Sequence, residues 1–148
     1  AIPAHLAFKL PDNVSSLEGA LIEPLAVGLS AASRGDVTLG QDVVILGAGC
    51  IGLLTMMTCK ARGAGRVIIS DLFSKRLDKA LELGADAVID ASTEDTVARV
   101  MELTEGRGAD VVFETAGNSH TAAETSDLVR RGGVIVFVGN INGETPYH

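Results

Sequence analysis

From residue 42 onward, short runs of apolar, mostly β-branched residues alternate with segments of helical spacing. The runs Val43–Leu46, Val67–Ser70, Ala87–Ile89, Val111–Phe113 and Val134–Val138 predict five strands, and their starts recur every 20–24 residues. That interval holds a strand, a short loop and a helix of three turns. The runs are apolar at consecutive positions rather than alternate ones. A strand of that kind is buried on both faces, which predicts a parallel sheet covered by helices on either side.

The intervening helices carry their own punctuation. One is expected to open at Gly49-Cys50-Ile51 and to stop at Gly63. A second is expected to be capped by Ser74, with Leu77, Ala80, Leu81 and Gly84 on one face. A third is expected from Ser92 or Thr93, with Val97, Val100, Met101 and Thr104 at helical spacing, stopping before the Glu-Gly-Arg-Gly loop 105–108. A fourth is expected between Asn118 and Arg131, ended by Gly132-Gly133. The first 36 residues follow no such rhythm. They read as extended chain punctuated by proline and then a helix from Glu23 to Arg34. The chain therefore divides into a lead-in segment, 1–36, and a strand–helix domain, 37–148.

Composition narrows the function. The sequence has 148 residues with a net charge of −7 and no basic stripe, which disfavours nucleic acid and anionic membranes as partners. The longest uncharged run, Val43 to Cys59, is 17 residues with three glycines, and so reads as strand, turn and helix rather than a membrane span. Cys50 and Cys59 form neither a disulfide framework nor a metal knuckle, which suits a reducing cytoplasm. His5, His120 and His148 have no ligand spacing.

The sharpest chemical signal is Gly47-Ala48-Gly49-Cys50-Ile51-Gly52. A GxGxxG is weak alone, but this one leaves a strand and opens a helix. Gly47 permits the tight turn, Gly49 lets a diphosphate approach the backbone, and Gly52 lets the helix pack on the strand. Free helix N–H groups, including those of Cys50 and Ile51, then face the phosphates. Cys50 itself reads as a small wall residue beside the ligand. Asp71 ends the next strand, 19 residues past Gly52. A carboxylate there accepts the hydroxyls of an adenosine ribose and repels a 2′-phosphate, which selects NAD over NADP. These features together define an α/β Rossmann fold, a doubly wound parallel sheet. In such a sheet ligands lie outside the carboxyl ends of the strands. That places Thr115, Ala116 and Gly117 beside the adenosine half and Val138, Gly139 and Asn140 beside the nicotinamide half, with Arg76 a candidate to lie over the adenine.

The segments ALIEPLAVGLSAA, VTLGQDVVILGAGCIGLL and KRLDKALELGAD resemble the zinc-containing medium-chain dehydrogenases, closest to their sorbitol and xylitol branch. The similarity covers essentially the whole chain. It implies an NAD(H)-binding domain of a zinc-dependent, homo-oligomeric enzyme that oxidises a polyol or secondary alcohol to a ketone. It also implies that Glu23 approaches the catalytic zinc, directly or through a water, and that the remaining zinc ligands and a sixth strand belong to other parts of such an enzyme. On that reading these residues alone bind cofactor but turn over no alcohol. Two other functions fit parts of the pattern. One is a stand-alone nucleotide-binding or sensing module. The other is an S-adenosylmethionine-dependent methyltransferase, which Gly52, Gly132-Gly133 and the Glu-Pro-Leu-Ala-Val-Gly segment disfavour.

Overall fold

The computed structural model describes residues 2–141. Five strands, β1 (Asp42–Leu46), β2 (Arg66–Asp71), β3 (Ala87–Asp90), β4 (Ala109–Glu114) and β5 (Val129–Phe137), form one sheet in the order β3-β2-β1-β4-β5. All pairings are parallel. The chain steps outward from β1 to β3, then crosses back to lay β4 on the other side of β1. This reversal opens a crevice at the carboxyl ends of β1 and β4.

Helices α2 (Ile22–Arg34), α3 (Cys50–Ala61) and α4 (Ser74–Glu82) cover one face, and α5 (Thr96–Leu103) and α6 (Ser119–Leu128) cover the other. Alternation within β1 shows why Val43–Leu46 are all apolar. Val43 and Ile45 pack with Met56 and Cys59 of α3, whereas Val44 and Leu46 join the cluster of Val100 and Leu128 from α5 and α6. Strands β1, β2 and β4 are buried almost throughout, and β3 and β5, at the two edges, are only partly covered. The lead-in helix α2 docks on α3 through Gly28, where an added Cβ would lie 2.9 Å from the Leu54 carbonyl carbon. Pro24 sits in the first turn of α2, where its missing N–H is needed by no intrahelical bond.

Several boundaries differ from the sequence expectation, each for a local reason. The lead-in is not simply extended: it holds a 3₁₀ turn at Ala4–Leu6 and a short helix, α1 (Ser16–Ala20), started by a reciprocal cap between Ser15 and Glu18. Ser74 does not cap α4. Phe73 holds the cap position, after the Asp71 carboxylate accepts the Phe73 N–H at 2.9 Å and turns the chain. In α4 only Leu77 and Ala80 are buried; Leu81 lies off that face, 49% exposed. Helix α5 starts at Thr96, not at Ser92 or Thr93. The Asp90 carboxylate takes both the N–H and the hydroxyl of Ser92, and Asp95 caps the helix by accepting from the Ala98 N–H at 2.9 Å. Helix α6 ends at Leu128 rather than Arg131. Arg130 Nε donates to Asp110 at 2.6 Å and draws the chain straight into β5. Gly132, at φ +74°, lies within an irregularity in that strand instead of ending a helix. The terminal GETPYH stretch, with His148, and the place expected for a sixth strand lie outside the described residues.

Candidate dinucleotide site

A cleft of about 920 Å³ opens at the carboxyl ends of the strands, between the glycine turn, the loops after β2 and β3, and helix α6. Its floor is made by the turn joining β1 to α3. Gly47 adopts φ +104°, a conformation that disfavours any side chain. A Cβ on Gly52 would stand 1.8 Å from the Gly47 carbonyl oxygen, so no side chain fits there. A Cβ on Gly49 would meet nothing within 4 Å. The space above Gly49 is open, which is where a ligand can reach the backbone. Gly49 is the N-cap of α3 and supplies no side chain, so the first amides of the helix are free to face an anion.

Asp71 stands beside this turn with its side chain 6% exposed. Its Oδ2 accepts from the Ala48 N–H at 2.8 Å and its Oδ1 from the Phe73 N–H at 2.9 Å. The carboxylate therefore ties the glycine turn to the loop after β2. Arg76 reaches the same Oδ2 at 3.3 Å, and its guanidinium lies 4.9 Å from the centre of the Phe73 ring. Thr115, after β4, closes the other side. Its N–H donates to Leu46 O at 2.9 Å, and its hydroxyl lies 2.9 Å from both Leu46 O and Gly47 O.

Of the residues expected from sequence, Gly47, Gly49, Asp71, Arg76, Thr115 and Ala116 line this cleft. Gly52 is buried behind the turn, while Cys50 is exposed and Ile51 half-buried in the first turn of α3. Gly117 packs against the backbone of Asn140, and Gly139 presses on Gly117. Val138 instead borders a second cavity, about 430 Å³, shared with Glu23 on the first turn of α2. The structure thus separates Glu23 from the main cleft. The residues present suit a dinucleotide. For a metal the fit fails, because among the described residues no group of three or more His, Cys, Asp or Glu stands together.

Sequence reasoning reached Asn118, at the end of the 114–118 loop, but missed the α6 wall behind it, which brings His120, Thr121, Glu124 and Asp127 to the cleft. Its one legible signal was Asn118, whose side chain caps α6 by accepting from the Thr121 N–H at 3.0 Å. This wall is acidic. Burial pushes the Glu124 carboxyl up, His120 at 3.3 Å pulls it back, and Asp95 and Asp127 push it further up. The two thiols differ: Cys50 is exposed, while burial raises Cys59 to about 12 against the pull of Arg62.

A parallel sheet that reverses direction at β1, a glycine turn open above Gly49 and an acid at the end of β2 together define a Rossmann nucleotide-binding domain. Residues 50–148 match the family described as zinc-binding dehydrogenase. The chain belongs to that family. It is 49% identical over 143 residues to an uncharacterized zinc-type alcohol dehydrogenase-like protein of Escherichia coli, covering 97% of this chain and 41% of that protein. It is 45% identical over 138 residues to human sorbitol dehydrogenase, covering 92% of this chain and 39% of that enzyme. A zinc-binding dehydrogenase from Sinorhizobium meliloti bound to NADP superposes with a TM-score of 0.93 at 32% identity, covering 99% of this chain and 44% of that one. The chain thus spans about two fifths of the length of these relatives. No helix among the described residues is long and apolar enough to cross a membrane.

Proposed function

We propose that this chain forms the NAD(H)-binding part of a zinc-dependent dehydrogenase that oxidises a polyol or secondary alcohol to a ketone. The sorbitol dehydrogenase relatives support the substrate class. The amides of Gly49, Cys50 and Ile51 hold the diphosphate, and Asp71 accepts the hydroxyls of the adenosine ribose. Thr115, Ala116 and Gly117 flank the adenosine half, and Val138, Gly139 and Asn140 the nicotinamide half. Arg76, resting on Phe73 and Asp71, borders the adenine. The cofactor, once bound, supplies a hydride acceptor or donor. The chain's own residues bind and orient it and keep the diphosphate on the helix end.

Asp71 carries the preference for NAD. It is nearly buried, and a 2′-phosphate would have to approach its carboxylate with little water between. The NADP in the Sinorhizobium protein belongs to that protein. Arg76 places one guanidinium nitrogen 3.3 Å from the Asp71 carboxylate. Glu23 is proposed to face the zinc of the intact enzyme across the smaller cavity. Among the described residues it belongs to no group of three or more potential metal ligands, and these residues alone are expected to turn over no alcohol.

The test is a fluorescence titration with NADH and NADPH, simplified by the absence of tryptophan. NADH is expected to bind at least about 10-fold more tightly, roughly 1.4 kcal/mol. Asp71→Ala is expected to close most of that gap. An unchanged preference in the variant would remove Asp71 from the ribose. Binding of S-adenosylmethionine without NADH would favour the methyltransferase reading.

A further inference from the structure

Glu114 is wholly buried, at the end of the interior strand β4, and the proposed cofactor contacts give it no part. Its main-chain carbonyl accepts from the N–H groups of Val138 at 2.8 Å and Gly139 at 3.0 Å. Its side-chain Oε1 accepts from the Gly117 N–H at 2.8 Å and the Thr121 hydroxyl at 2.7 Å. Its Oε2 is buried with no hydrogen-bond partner. That oxygen stands 2.6 Å from where a Cβ on Gly139 would be, and the same Cβ would lie 2.5 Å from Gly117 N. One residue therefore ties the 115–121 wall of the cleft to the 138–139 turn, whose Val138 borders the second cavity. Its side chain holds the 115–121 wall, its carbonyl holds the 138–139 turn, and its second oxygen fills the neck between them.

A buried acid with an orphaned oxygen costs stability that an apolar residue would not. Its retained chemistry is two-donor acceptance across the β4–α6 loop together with contact at Gly139. We propose that Glu114 is a positioning residue for the cofactor: it sets the separation between the wall beside the adenosine half and the turn beside the nicotinamide half. This rests on the cofactor placement proposed above. A ligand that spans both walls needs that separation. A ligand that occupies only the adenosine wall does not.

The experiment compares NADH with AMP as ligands of the full-length polypeptide carrying Glu114→Ala, Glu114→Gln or Gly139→Ala. Glu114→Ala leaves two donors without an acceptor and opens the neck, and is expected to weaken NADH at least about 10-fold and AMP less than about 3-fold. Glu114→Gln keeps an acceptor for Gly117 and Thr121 and is expected to restore NADH binding to within about 3-fold of wild type. Gly139→Ala drives a methyl against Glu114 Oε2 and the Gly117 backbone while leaving the carboxylate in the chain. It is expected to change the NADH-to-AMP ratio in the same direction, which keeps the proposal testable if Glu114→Ala does not fold. Equal losses for both ligands, or an unchanged ratio in Gly139→Ala, would overturn it. A wild-type protein that binds AMP but not NADH would instead overturn the cofactor assignment.

Discussion

The two ends of the sheet are built on opposite plans. At the amino end, Asp42 and Asp110 are shared among Arg66, Arg107 and Arg130. Arg66 Nε lies 2.9 Å from Asp42, Arg107 contacts both acids, and Arg130 lies 2.6 Å from Asp110. Asp110 also accepts the backbone N–H of Asp42 at 2.8 Å, and a further guanidinium nitrogen of Arg66 donates to Leu103 O. This end ties β1, β2, β4 and β5 together at their starts by side-chain charge. At the carboxyl end, positive-φ glycines, free helix amides and open volume replace those ties. Asp71, Thr115 and Glu114 stitch the loops there mainly through backbone groups, beside the local turns that Asp90 and Asn118 close. The strands are fixed by charge at one end, and the loops keep free helix amides at the end where the cofactor is proposed to bind.

The contrast can be broken most severely at Gly52. Gly52→Ala drives a methyl into the Gly47 carbonyl and is expected to cost at least about 1–3 kcal/mol of stability, with loss of NADH binding. Gly49→Ala, three residues away, meets open space. It is expected to leave the melting temperature unchanged while weakening NADH about 10-fold, because the methyl occupies the diphosphate's approach. Thermal melts and NADH titrations of the pair measure the difference.

At the other end, Asp110→Asn is expected to cost about 1.5–3 kcal/mol by urea denaturation, with NADH affinity unchanged, since it weakens charge-assisted bonds far from the cleft. A stability loss accompanied by a fall in affinity would mean that the two ends are not independent.

Acid sharpens the same point. Burial pushes the Asp110 carboxyl up, but hydrogen bonds from Arg130, the Asp42 amide and Arg107 outweigh it and hold the group below the ordinary carboxylate range. Asp86 is lowered in the same way, burial being outweighed by Lys60 and the Val67 amide. A carboxyl whose folded pKa is depressed contributes stability that is full above its unfolded value, about 3.9 for Asp. That contribution is lost as the pH falls through the folded value. Unfolding free energy measured against pH is expected to drop steeply below about pH 4, and Asp110→Asn is expected to flatten part of that slope. The smallest effect is chemical: a thiol reagent is expected to modify the exposed Cys50 in the native protein and to leave Cys59 intact until unfolding.

Sequence showed the sheet well because its evidence was local. Runs such as Val43–Leu46 are apolar at consecutive positions only if both faces are covered, and the Gly47–Gly52 turn declares its backbone needs residue by residue. Boundaries were harder because competing partners decide them. Asp90 captures Ser92 and leaves capping to Asp95, and Asp110 captures Arg130 and converts an expected helix end into a strand. Gly132-Gly133 reads equally well as a helix stop or a strand irregularity, and only pairing with β4 decides between them. In the site, Gly49 and Asp71 were legible as a motif at known spacing. Glu114 was not, because its importance lies in contacts with residues 117, 121 and 139 that meet only in the folded chain.

The amides of residues 49–51 are proposed to hold a dinucleotide's diphosphate while Asp71 holds its adenosine ribose. The most direct measurement is a crystal structure of the protein with NADH. The diphosphate is expected over Gly49 at the start of α3, and the ribose hydroxyls within hydrogen-bond distance of the Asp71 carboxylate. NADH bound elsewhere, or a ribose turned away from Asp71, would contradict it.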